Sequence, residues 1–403
     1  MMFALGVLVF ALGIGVSIAL HEAGHMWTAK AFGMKVRRYF IGFGPTIFSW
    51  RRGETEYGLK AIPAGGFCDI AGMTGMDPVT EDEAPRAFFR KPTWQRVIVL
   101  SAGSTAHFII GVIVLYVLAV TLGLPAATAV AGDISCAAAS VNPATGVPTP
   151  CDASVPSPAA AAGLRAGDEI VSVAGTPTPT FLDVATVVRQ HLGPTPIVVN
   201  RDGQLLTLVP DVAPVMRLAA GAKPNDPTNR LESVGAIGVG PKDVLEYSPL
   251  TAVPGTAVFT GRLFDMTWQG LLRFPQKVPT VLRAIAGEPR DRDSPISVVG
   301  ASIIGGDAAE QGQWLRFGLL LAALNFFIGV FNLLPLLPLD GGHIAVNLYE
   351  RVRDTVRRRQ GKVKMPPVDY TRLLPLTYAF IVVLGAVSLL TITADIVNPI
   401  HLK

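Results

Sequence analysis

Charge is scarce in this chain. Only 16% of its 403 residues are Asp, Glu, Lys or Arg, well short of the roughly 25% of an ordinary soluble domain. Mean hydropathy is +0.44, a value that belongs to membrane proteins rather than soluble ones. The net charge is only +4, and no tract interleaves Lys or Arg with aromatic residues. Nucleic-acid binding is therefore set aside. The first twenty residues contain no basic group and no small-residue cleavage site, and their apolar run is too long for a secretory signal peptide. Cysteine occurs three times and histidine six, so any metal chemistry has few residues to draw on.

What is abundant is apolar sequence, and it comes in four runs. They cover about 3–28, 97–124, 317–339 and 374–396. Each is long enough as a helix, at 1.5 Å per residue, to cross about 30 Å of hydrocarbon. Basic residues crowd two of the intervening segments. Lys30, Lys35, Arg37, Arg38, Arg51, Arg52, Lys60, Arg86, Arg90, Lys91 and Arg96 lie between the first two runs; Arg351, Arg353, Arg357, Arg358, Arg359, Lys362 and Lys364 lie between the last two. The positive-inside rule makes both segments cytoplasmic and puts residues 125–314 outside. Cys136 and Cys151 fall in that outer segment, where a disulfide persists, and Cys68 falls in the first cytoplasmic loop.

The densest chemistry stands at the end of the first run, as His21-Glu22-Ala23-Gly24-His25. Two histidines four apart share one face of a helix. With a glutamate beside the first, they form the pattern of a zinc hydrolase: two imidazole ligands, and a carboxylate that takes a proton from the water the metal activates. Ionisable groups are costly in a membrane segment, so they mark function there.

Two histidines need a third protein ligand. The candidates are His107 in the second run, the remote His191, His343, His401 and Asp340. Asp340 follows Pro335 and Pro338, which break the helix and leave irregular backbone at membrane depth. Such backbone is tolerated where it lines a cavity. Gly341 and Gly342 then permit a sharp turn toward the metal. The competing reading makes Asp340 only the N-cap of a cytoplasmic helix beginning at Gly341.

The loops carry strand signals. Residues 39–45 and 56–63 read as strand, turn and strand, followed by Ala64-Gly65-Gly66-Phe67. This edge either binds an extended peptide by strand addition or is a plain hairpin at the membrane surface. In the outer segment, residues 161–173 read Ala-Ala-Gly-Leu-Arg-Ala-Gly-Asp-Glu-Ile-Val-Ser-Val, a capped turn leading into an alternating strand. A helical stretch at 181–192 and a hairpin around Arg201-Asp202-Gly203 follow. The ensemble resembles a PDZ domain of the bacterial protease type, which either binds a peptide or acts as a spacer that screens by size. Residues 245–283 have helical periodicity too interrupted by charge to span, and are expected to lie along the outer membrane surface.

Taken together, His21-Glu22-x-x-His25, the stretch from Asn332 through Pro335 to Asp340-Gly341, the PDZ-like insert, Gly58 with Pro63 to Gly66, and Pro295-Ile296-Ser297 resemble the site-2 protease family over essentially the whole chain. The likeness is to its actinobacterial branch, regulator-of-intramembrane-proteolysis enzymes with a single PDZ domain. It implies a membrane α-helical fold of about four transmembrane helices, a cytoplasmic membrane-associated β-hairpin region and an extracytoplasmic α+β PDZ domain. It implies a first catalytic half at 1–124, the PDZ domain at 125–213, a membrane-surface linker at 214–314 and a second catalytic half at 315–403. It implies Zn2+ held by His21, His25 and Asp340, with Glu22 as general base. The implied substrates are single-span membrane proteins such as anti-sigma factors, cut in a multi-pass protein of the cell membrane. Asn332, Pro335, Gly65 and Gly66 are implied to face the substrate.

Two departures from the family pattern stand out. Pro338 comes one place later than the family's usual second proline. Where the family tends to carry Gly-Pro-x-x-Asn, this chain has Gly103-Ser104-Thr105-Ala106-His107. His107 either takes over that asparagine's part in holding the substrate or transition state by hydrogen bonding, or is a buried, hydrogen-bonded packing residue. A non-catalytic membrane PDZ receptor or scaffold is the alternative function, and the intact His21, Glu22, His25 and Asp340 argue against it. A zinc transporter would need polar residues lining a through-path, and the second and fourth runs offer almost none.

Overall fold

A computed structural model describes residues 1–403 except 75–76, 127, 152–156, 220–226, 291–292 and 403. The chain divides into two compact units, one formed by Met1–Leu122 with Tyr247–Lys403, the other by Gly123–Glu246.

The first unit is built on helices α1 (Met2–Ala31) and α2 (Thr93–Thr121). The second unit contributes α3 (Pro158–Ala161) and α4 (Phe181–Arg189). The first unit resumes with α5 (Pro249–Ile285), α6 (Val298–Glu310), α7 (Trp314–Asn332), α8 (Asp340–Arg359) and α9 (Leu374–Val397). Four helical stretches, Met2–Ala31, Thr93–Thr121, Trp314–Asn332 and Tyr370–Val397, are long and apolar enough to cross a membrane. They match the four apolar runs, with one correction. The third helix ends at Asn332, not at 339, because Pro335 and Pro338 have no N–H to continue the ladder and their rings clash with the preceding turn.

The helices pack through small residues, which let backbones approach where no water drives association. A side chain on Gly6 would strike Gly306 and Ala309 of α6, and one on Gly111 would strike the Phe326 ring of α7. Helix α5 is a single helix that packs on α2, α7 and α9. Its Phe264 meets Phe108 and Phe326, with ring centroids 5.0 Å away in each case. The helix expected over 245–283 is present; part of its apolar face meets protein, while Met266, Trp268 and Leu272 stay exposed.

Between α1 and α2, strands β1 (Val36–Arg52) and β2 (Thr55–Ile70) form one long antiparallel pair. It folds back on itself, so that Phe40 lies opposite both Gly58 and Phe67. The base of the pair packs on α1 through Met26, Met34, Val36 and Ile70. Tyr39 donates its hydroxyl to the carbonyl of Ala19 at 2.7 Å, which ties the sheet to the helix close to His21.

The second unit is mostly sheet. Short strands β3 (Leu124–Pro125) and β4 (Ala131–Ile134) lead to β5 (Glu169–Val173), β6 (Thr176–Pro177), β7 (Gly193–Pro194), β8 (Ile197–Arg201) and β9 (Gln204–Leu208). Four of these order as β6-β5-β8-β9. Their core of Ile170, Val173, Ile197 and Val199 is closed by Val184 and Val188 of α4, whose start carries a Thr180–Asp183 capping box. Strands β10 (Asp211–Leu218), β11 (Leu231–Ala236), β12 (Val239–Pro241) and β13 (Val244–Leu245) follow. Strand β12 pairs with β4, and β13 with β3. The compact unit therefore runs on to Glu246, past the boundary drawn at 213, because the returning strands share its core. Cys136 and Cys151 are joined in a disulfide. Residues 152–156 and 220–226, within the 125–213 and 214–314 segments, lie outside the described residues.

Candidate metal centre

The site begins on α1. His21 and His25 are one helical turn apart and both are buried. The Nδ1 of His25 is 2.7 Å from the carbonyl oxygen of Val99. A carbonyl only accepts, so this nitrogen carries the proton, and Nε2 of the neutral ring is left with a lone pair. That Nε2 is 3.1 Å from Nε2 of His21 and 3.4 Å from Oδ2 of Asp340. The same carboxylate oxygen is 3.4 Å from Nε2 of His21.

Asp340 arrives from the other half of the chain. It is the first residue of α8, and Leu339 occupies the cap position before it. The Asp340 side chain makes no cap bond; it turns to the two imidazoles. Gly341 and Gly342 are buried against residues 333–337, and a Cβ on Gly342 would sit 2.6 Å from Leu337 N. That close approach lets the turn after α7 bring Asp340 up to α1.

Three electron-rich atoms thus converge, all within 4.8 Å of one another. At this spacing their lone pairs need a shared proton or a cation between them, and the set is one that could hold a metal ion. A tetrahedral zinc with bonds of about 2.0–2.1 Å sets ligand atoms roughly 3.3 Å apart, close to the separations found here. Burial raises the pKa of the Cys68 thiol, which lines the same cleft. Its sulfur is not one of the three converging ligand atoms.

Peptidase family M50 matches this chain over residues 9–371. The chain belongs to peptidase family M50. It is 47% identical to Zinc metalloprotease Rip1 of Mycolicibacterium smegmatis over 413 aligned residues, which span the whole of both chains. It is 48% identical to Zinc metalloprotease Rip1 of Mycobacterium tuberculosis H37Rv over 410, again the whole of both. Metalloprotease MmpA of Caulobacter vibrioides is 30% identical, over 84% of this chain and 85% of that protein. The resemblance to site-2 proteases is thereby met.

In this M50 peptidase, Glu22 lines the cleft with His21, His25 and Asp340. Across from it stands β2. A Cβ on Gly66 would lie 2.9 Å from Cγ of Glu22 and 3.0 Å from the carbonyl of Phe40, so bare backbone faces the carboxylate there. Gly65 points elsewhere; it has φ +127 and abuts the Phe43 ring. Asn332, at the end of α7, and Pro335, in the turn that follows, are not among the residues lining the cleft.

His107 is buried on α2, its ring centroid 5.1 Å from that of His21. Its Nδ1 is 2.9 Å from Oδ1 of Asn325 on α7. The amide nitrogen of Asn325 is already donated to the carbonyl of Leu321 at 2.9 Å, so Oδ1 accepts and His107 Nδ1 donates. The buried, hydrogen-bonded reading of His107 fits this geometry.

Three contributors escaped the sequence reading. Gly103 lies so close to the imidazoles of His21 and His25 that a Cβ there would collide with both. Val99 orients His25 through its backbone oxygen. Asn325 holds His107 from a distance of 218 residues along the chain. A glycine within an apolar helix was the one available signal, and it pointed to close packing without naming a partner. The Nδ1 of His21, also buried, has no hydrogen-bond partner among the described residues.

Proposed function

We propose that this M50 peptidase is a zinc-dependent intramembrane endopeptidase that cleaves single-span membrane proteins, anti-sigma factors among them. His21, His25 and Asp340 hold the metal, and Glu22 is the general base. The supporting observation is the convergence of two imidazole nitrogens and one carboxylate oxygen at separations of 3.1–3.4 Å, with Glu22 lining the same cleft. The curated relatives that match over their full length carry the name zinc metalloprotease.

Zinc, when bound, supplies a Lewis acid that acidifies water and polarises a carbonyl. The chain supplies the rest. Glu22 accepts a proton from the attacking water and returns it to the leaving amine. The carbonyl of Val99 fixes the tautomer of His25, so that Nε2 is always the atom presented to the metal. A helical substrate hides its peptide bonds in its own hydrogen bonds, so it must unwind before it is cut. Strand β2 presents half-buried backbone without a side chain at Gly66 beside Glu22, a template on which the unwound segment can add as a strand.

The basic segments between the membrane helices mark the cytoplasmic side, and His21 lies toward that end of α1. The cut then falls near the cytoplasmic face, and the Gly123–Glu246 unit faces outside. We read that unit as a PDZ domain, from its 161–173 motif and its β6-β5-β8-β9 sheet with α4. Its proposed role is to exclude substrates whose outer domain has not been trimmed. Asn332 and Pro335 are proposed to meet the substrate backbone as it enters.

A cleavage assay on reconstituted single-span substrates with the Glu22→Gln protein tests this reading. Loss of cleavage with zinc still bound is the expected result. Unchanged cleavage would refute it, and a scaffold would keep its phenotype.

A further inference from the structure

Helix α8 carries a feature the proposed reaction does not use. Beyond Asp340 and the two buried glycines it becomes amphipathic. Leu348, Val352 and Val356 recur every fourth residue and therefore form one stripe. They are 46%, 62% and 47% exposed, and Tyr349 beside them is 59% exposed. These residues touch no core. Arg351 and Arg359 follow Leu348 and Val356 by three positions, so they flank the stripe, with Arg358 next to them.

The charge is one-sided and largely free. Residues 340–364 hold seven Arg or Lys against three Asp or Glu. Arg353 is held by Asp354 and by the carbonyls of Met365 and Pro366. Arg357 bonds the Val363 carbonyl, and Lys364 approaches Asp354. Arg351, Arg358, Arg359 and Lys362 are exposed and have no acidic partner among the described residues. Four unmatched cations beside an apolar stripe need a surface that is apolar below and anionic above.

The rest of the fold fixes where that surface is. Midway along α8, Glu350 sits 3.5 Å from Arg96, in the opening turn of α2. Its other oxygen accepts from the amide of Val368 at 2.7 Å. His343 meets the hydroxyl of Tyr370, where the last membrane stretch begins. The middle of α8 is thus level with the ends of two membrane-crossing helices. Its exposed half emerges at the boundary between hydrocarbon and water.

We infer that the stripe Leu348, Tyr349, Val352 and Val356 docks into the membrane interface, and that Arg351, Arg358, Arg359 and Lys362 bind the phosphate groups of anionic phospholipids there. Apolar side chains enter the acyl boundary while the long basic stems reach out to the headgroups. Attraction to an anionic leaflet acts within a Debye length of the surface and is screened by salt. The docking stands apart from the proposed reaction and needs no catalytic activity to be measured.

The test uses the full chain in nanodiscs of phosphatidylcholine alone or of phosphatidylcholine mixed with phosphatidylglycerol. An environment-sensitive fluorophore is placed on Val356→Cys, with the identically treated parent chain as background. The expected result is a blue shift of emission in the mixed discs. High salt should abolish it, and so should the combined Arg351→Gln, Arg358→Gln, Arg359→Gln and Lys362→Gln changes. Identical emission in the two lipids overturns the inference; an aqueous signal in both would indicate a protein partner instead. A shift in the charge-depleted protein equal to the parent's overturns it as well. Should that protein fail to fold, the salt titration of the parent decides alone.

Discussion

Gly103 on α2 lies against the imidazole of His21 so closely that a Cβ there would sit 2.6 Å from Nε2. The same Cβ would also collide with Nε2 of His25. Both are the atoms we assign to zinc. The glycine is therefore part of the wall that sets the ligand positions, although it offers no ligand itself.

Gly103→Ala should displace both imidazoles while leaving the membrane helices intact. Supporting groups of this kind are worth about 10–100-fold in metal affinity. Titration with a competing chelator should show zinc affinity lowered by about that factor. An unchanged affinity would mean the wall yields.

Glu22→Gln keeps the shape of the side chain and removes its basicity. Turnover should fall by about 10²–10⁴-fold, the usual worth of a positioned acid–base group. Zinc content should stay at the wild-type level, because Glu22 is not among the three converging ligand atoms. Single-turnover cleavage and metal analysis on the same preparation check both halves.

The second unit carries an acid-sensitive link. Asp168 is buried and accepts from Arg201 through both carboxylate oxygens, at 2.7 Å each. The guanidinium holds its pKa below the ordinary value. A folded-state pKa below the unfolded one, about 3.9, adds stability that is complete above that value. It is lost as the pH falls through the folded value. Amide exchange at Ile197–Arg201, corrected for the intrinsic rate, should show constant protection from neutral pH down to about 5 and a decline below about 4. Arg201→Gln should lower protection at neutral pH and flatten the acid dependence. A wild-type profile in that protein would contradict the assignment.

The disulfide between Cys136 and Cys151 closes a loop with a sequence separation of 15. A closure of that length stabilises by up to about 3 kcal/mol. Replacing both cysteines by alanine should destabilise the second unit by about 2–3 kcal/mol, measured by denaturant titration read out through exchange of its sheet. Peptide mapping without reductant should recover the linked pair.

Much of this was readable in the sequence because it rests on local periodicity. The spacing of His21 and His25 is one helical turn, and the four membrane stretches follow from hydropathy. The breakage after Asn332 follows from Pro335 and Pro338. What could not be read depends on contacts between distant segments. Nothing near Asn325 announces His107, and nothing near Val99 announces His25. Helix α6 is short and rich in Gly and Ala, so it carries no spanning signal; it is a helix because it packs on α1. The partners of α5 were unreadable for a related reason, since its Phe264 meets Phe108 and Phe326, which lie far away in the chain.

Zinc K-edge absorption on the purified wild-type protein addresses the central claim most directly. The account predicts one zinc per chain in a shell of nitrogen and oxygen at about 2.0–2.1 Å, with imidazole scattering from two rings and no sulfur at about 2.3 Å. Replacement of Asp340 by Asn should reduce the bound metal. A sulfur shell, or zinc retained in full after both His21 and His25 are changed to alanine, would contradict it.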